Sequence, residues 1–120
     1  MKPTKFIVTV RSKTTFGTDT LTLELFEGQD LTQQAETMAT GWGASVESID
    51  IDRETDAAWI LHTMRVHGLK LARPEMFKGD AKKVTFWLDC LTGAGYLEKR
   101  GAEYCKTPKF DAFFIKQTEG

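Results

Sequence analysis

Two histidines, two cysteines and a cluster of carboxylates are the side chains here with the chemistry to hold a metal or move a proton. His62 and His67 stand five apart in a segment of helical spacing. That separation leaves them about 140° apart around a helix axis, whereas two imidazoles sharing a metal need the four-residue step that stacks them on one face. They read as surface or boundary side chains, and no metal site is expected. Cys90 and Cys105 lack the close pairing of a Cys-x-x-Cys knuckle and read as free thiols, small buried hydrophobes in a reducing compartment. No base or nucleophile motif surrounds a serine or either cysteine, so no catalytic residue is assigned, although a His-Cys dyad assembled across the fold would leave no mark on local spacing. Glu47, Asp50, Asp52 and Glu54 gather on one short segment in which Asp50 and Asp52 alternate onto one face. Paired carboxylates can take a divalent cation or do acid-base work. With no matching ligands elsewhere they read as the charged edge of a sheet, and Glu47, Asp50 and Asp52 become candidates for a protein contact. The glycine pairs 41/43 and 93/95 fit neither phosphate-cradling motif, so no nucleotide or other cofactor is expected.

Period-two alternation assigns strands to Lys5 to Arg11, with Phe6, Val8 and Val10 on one face, and to Thr20 to Phe26, with Leu21, Leu23 and Leu25. The polar stretch from Ser12 to Asp19 joins them as a hairpin. Asp30 stands where a helix N-cap belongs, with Gln33 three residues on, and Leu31, Ala35, Met38, Ala39 and Trp42 line one helical face. A helix from Leu31 to Thr40 follows, then a strand over Ser45 to Asp52 with Ile49, Ile51 and, more weakly, Glu47 inward. Beyond the charged step at residues 53–56 the spacing gives a helix from Ala57 to His67, on which Trp59 and Val66 form a second apolar face that implies packing between two lobes. Leu69 to Ala72 reads as a short extended piece, and Pro74 opens a single helical turn. Asp80 caps a helix over 81–92, and two strands follow within 96–107. Phe110 to Lys116 reads as a further strand, with the last four residues frayed.

At 120 residues, 41% hydrophobic and 28% charged, the chain suits one domain or two small lobes sharing a core. No apolar run approaches the ~20 residues of a membrane span, and the start resembles no secretory signal, so a cytoplasmic address and no membrane contact are expected. The net charge of -1 hides an asymmetry: residues 1–54 carry five Lys and Arg against nine Asp and Glu, and residues 55–120 carry eleven against eight. Different surfaces are thereby expected to meet different partners.

In the second half, the order of helix, short extended piece, short helix, helix and two-stranded ribbon resembles a winged helix-turn-helix. The likeness is carried by residues 80–100, in which Leu91, Ala94-Gly95, Tyr96-Leu97 and Glu98-Lys99-Arg100 close the third helix as such domains often do. Pro74 shortens the second helix relative to that pattern. The resemblance implies double-stranded DNA as a partner, with Lys82, Lys83 and Thr85 near the leading end of the third helix and Lys99 and Arg100 of the wing approaching phosphates. The expected fold is therefore α+β, with an N-terminal ββαβ lobe over residues 1–54 packed on a winged-helix-like lobe over 55–120. The expected function is non-enzymatic DNA-binding regulation of transcription, with the first lobe mediating self-association or a protein contact. The alternative is a protein-binding adaptor or inhibitor, similar in general make-up to phage proteins that act on host machinery. Trp42, Trp59 and Trp87 discriminate: gathered and exposed on one patch, they favour protein docking.

Overall fold

Alternating apolar residues build the first sheet. In the computed structural model, which describes residues 4–14, 17–52 and 55–119, strand β1 (Thr4–Ser12) lies between β2 (Thr18–Leu25) and β3 (Ala44–Ile51), antiparallel to both. Phe6, Val8, Val10, Leu23, Leu25, Ile49 and Ile51 all point to the buried face. The expected inward position of Glu47 is corrected by a register shift between Thr9 and Val10. Thr9 pairs with Ser48 but Val10 pairs with Val46, so one extra residue bulges and the alternation restarts out of phase. Val46 and Ala44 thereby take the inner face, and Glu47 pairs instead with the exposed Arg11.

Helix α1 (Leu31–Gly41) starts where Asp30 accepts a hydrogen bond from the Gln33 amide at 2.9 Å. It lays Leu31, Ala35 and Ala39 on the sheet, while Trp42 falls just past its end and is 72% exposed. Helix α2 (Asp56–Val66) buries Ala57, Ile60, Leu61 and Met64 completely, each of the larger three contributing roughly 1.5–3 kcal/mol by leaving water. Its expected second apolar face is not buried. Trp59 packs edge-on against Phe77 yet stays exposed, and Val66 faces solvent, because one helix side suffices to reach the core. Glu54, and the boundary placed beside it, lie outside the described residues, as do Thr15 and Phe16 of the hairpin loop.

After β4 (Leu71–Ala72), a 3-10 turn at Pro74–Met76 leads to α3 (Ala81–Gly93), whose N-cap Asp80 accepts from the Lys82 amide at 3.0 Å. Strands β5 (Leu97–Arg100) and β6 (Glu103–Lys106) form the ribbon, and β4 pairs with β6 to complete an antiparallel sheet in the order β4-β6-β5. The strand expected over Phe110 to Lys116 is instead part of helix α4 (Pro108–Glu119), which also takes in Gln117 to Glu119 of the four residues expected to fray, the fourth lying outside the described residues. Phe110, Phe113 and Phe114 recur at the three- and four-residue steps of a helix, and all three are buried.

The architecture is α+β, and the buried side chains of both sheets and all four helices form one continuous cluster. Polar bonds reinforce the join: the Trp87 indole donates to Thr4 Oγ1 at 3.3 Å, and the Tyr96 hydroxyl accepts from the Ile51 amide at 3.2 Å. Among the described residues no helix is long and apolar enough to cross a membrane.

Candidate nucleic-acid interface

Helix α3 is positioned by its apolar stripe. Val84, Leu88 and Leu91 fix one side in the core, so the opposite side presents Lys82, Phe86, Asp89 and Gly93. Lys82 is exposed on the first turn. Lys83 is half-buried, its ammonium 5.6 Å from the Trp87 ring centre, and Thr85 is half-buried on the flank. Sequence spacing did not single out Lys78, which is exposed just before the cap and extends the positive charge at this helix end; its nearness to the N-terminus of α3 is the signal that was there. On the ribbon, Lys99 is exposed and lies 5.5 Å from the Tyr104 ring centre, while Arg100 pairs with Glu98 at 3.1 Å. At the ribbon's far end Arg73 binds Glu103 at 2.8 Å. That hydrogen bond and charge hold the guanidinium protonated above its usual range.

The middle of α3 is less basic. Asp89 accepts a 2.6 Å hydrogen bond from the Tyr104 hydroxyl, and burial, then that bond to the carboxylate and its charge, pushes the phenol above the ordinary tyrosine value. A groove of about 450 Å³ runs between α3 and the entry to α1, with Glu27, Asp30 and Asp89 facing a single lysine, Lys82. At the helix end Gly93 approaches the Leu31 side chain, and a Cβ there would stand 3.5 Å from it. The positive charge that phosphates would meet is therefore concentrated at the leading end of α3 and on the ribbon, not along the whole helix.

The acidic candidates on β3 are not brought together as a free surface. Glu47 is engaged by Arg11, and Asp50 accepts from Lys109 Nζ at 3.2 Å and from the Tyr96 hydroxyl at 3.4 Å. Asp52 is half-buried at the strand end, its carbonyl accepting from the Thr55 hydroxyl. Lys109 was the least visible participant. Its ammonium donates to the carbonyls of Ile49 at 2.6 Å and Ala94 at 2.7 Å and lies 4.7 Å from the Tyr96 ring centre. Together with the Tyr96–Ile51 bond, this covers two outward backbone groups at the C-terminal end of β3, the Ile49 carbonyl and the Ile51 amide.

His62 packs edge-on against Phe113 and Phe114, and His67 is exposed beyond the end of α2. No cluster of three or more metal-ligating side chains occurs among the described residues. Burial first, then the charges of Asp89 and Asp30, raise the Cys90 thiol to about 12, which keeps it protonated and unreactive. Trp42, Trp59 and Trp87 do not behave alike: the first two are exposed on different elements and the third is part-buried against Thr4. No known family, curated protein or solved structure matches this chain.

Proposed function

We propose that the chain is a small, non-enzymatic DNA-binding regulatory protein of the cytoplasm whose second half works as a winged-helix-like unit. The observation that carries this reading is the sheet order β4-β6-β5 packed beside α3. It places one short strand between the first two helical elements and the ribbon after the last, the connectivity that the sequence likeness implies. In this unit the 3-10 turn at Pro74–Met76 stands where a full second helix is usual. Lys82, Lys83 and Thr85, joined by Lys78, meet phosphates at the leading end of α3, where the helix dipole adds to their charge. Lys99 and Arg100 hold the flanking backbone from the ribbon. The first sheet and α1 serve self-association or a protein contact.

Duplex DNA of mixed sequence, titrated at two salt concentrations and followed by fluorescence anisotropy, tests the proposal. Binding should weaken as salt rises, and a Lys82→Ala, Lys83→Ala, Lys99→Ala, Arg100→Ala variant should lose up to ~4 units of the log-log salt slope, about one per phosphate contact. No binding at low salt overturns the reading. A second reading then takes its place, an adaptor or inhibitor that binds only protein, favoured by Asp89 on the outward side of α3 and by the exposed Trp42.

A further inference from the structure

The two edges of the first sheet are treated differently. On β3 the ladder is interrupted by the bulge at Glu47, the Ile49 carbonyl is taken by Lys109, and the Ile51 amide is taken by Tyr96. These are devices that blunt an edge strand. Strand β2 has none of them. It pairs with β1 in unbroken register from Thr18 to Leu25 and contains no Pro, Lys or Arg. Among the described residues no side chain or loop bonds to its outer edge.

The inner face beside that edge is open as well. Leu21 is only partly buried, and Trp42, 72% exposed, lines with Val10, Leu21 and Ala44 a groove of about 420 Å³. We infer that β2 is a self-association edge: a second copy of this chain adds its own β2 antiparallel, giving a six-stranded sheet flanked by two Trp42 side chains.

The residue pattern favours a second copy. A buried face allows only registers that keep inner residues opposite inner residues. The register that sets Leu21 against its own copy also sets Thr20 against Thr22 twice. It pairs Asp19 with Leu23 and Thr18 with Glu24, so the two acidic residues of the strand never stand opposite each other. An eight-residue edge is about 26 Å long. Two such edges, each about 10 Å thick, and two exposed tryptophans at roughly 150 Å² or more each give about 800 Å², the size of a weak, transient contact. A weak, concentration-dependent dimer follows.

This inference deepens the self-association assigned above to the first sheet, and its test contains no DNA, so its failure leaves the nucleic-acid reading standing. Sedimentation velocity of the full chain over roughly 10–300 µM should show a shift from monomer to dimer. Trp42→Lys removes the flanking aromatic without touching the core. Thr22→Lys, on the exposed outer face, places two ammonium groups beside the dimer axis. Each should weaken the dimer ~tenfold or more with unchanged far-UV circular dichroism. A wild-type monomer throughout the range, or a dimer indifferent to both substitutions, overturns the proposal.

Discussion

Replacing Lys109 by Met keeps the aliphatic stem and removes the ammonium, and the outcome can be worked from the contacts. The two hydrogen bonds to the Ile49 and Ala94 carbonyls are charge-assisted, each worth about 1.5–3 kcal/mol when shielded from water. The Lys109 side chain is 32% exposed, so water recovers part of that loss, and the pair with Asp50, 42% exposed, adds no more than ~1 kcal/mol. A net loss of about 2 kcal/mol follows, which for a chain of this length lowers Tm by roughly 6–10 °C. Urea unfolding followed by tryptophan fluorescence should show a lower midpoint at unchanged slope. The companion Asp50→Asn should cost under ~1 kcal/mol, because the carbonyl bonds survive it. If Lys109→Met lies within ~0.5 kcal/mol of wild type, or Asp50→Asn costs as much as Lys109→Met, the assignment of the clamp to backbone carbonyls is wrong.

The two thiols should separate in a disulfide-exchange titration at pH 8: Cys105, half-exposed, reacts in the native protein, and Cys90 only after unfolding. Because the folded state holds the Cys90 proton up to about 12, against the ordinary value of 9, stability is full below pH 9 and is lost as pH rises toward 12. The raised Tyr104 phenol adds to the loss in the same direction above pH 10. Cys90→Ala should therefore flatten the fall in urea midpoint between pH 8 and 10.5, and an unchanged fall would refute the cause. Gly93→Ala meets Leu31 and Thr32 only at ordinary contact distance, so its better helix propensity should raise stability by ~0.5 kcal/mol in thermal melts. Asp30→Ala removes the cap bond to Gln33 and should cost about 1 kcal/mol by the same measurement.

Local rules carried much of the fold in the sequence. Asp30 and Asp80 cap helices because a short carboxylate can reach an amide two or three residues on, and the hairpin strands alternate because one face is wet. The strand expected over Phe110 to Lys116 does not form, because the spacing of its aromatics is helical. Phe110, Phe113 and Phe114 mark a helix stripe, and Pro108 suits a first turn. The Glu47 bulge left no local sign, since which residue is extra depends on the partner strand. Of the candidate lysines, Lys82 and Lys99 were legible as charges on exposed positions, whereas Lys83 is half-buried. Lys109 was not legible, because its partners lie sixty and fifteen residues away in the chain, and the farther one, Ile49, comes within reach only once the halves have met.

The covered edge of β3 also sets an arithmetic on assembly. A sheet that can accept a strand at either side can extend indefinitely, each added copy offering a fresh end to the next, which is the geometry of a fibre. With Lys109 on the Ile49 carbonyl, Tyr96 on the Ile51 amide and the bulge at Glu47 breaking the ladder, the β3 side resists a further strand. Strand addition through β2 then favours two copies over a longer array, so the same lysine that joins the halves of one molecule also works against the joining of many.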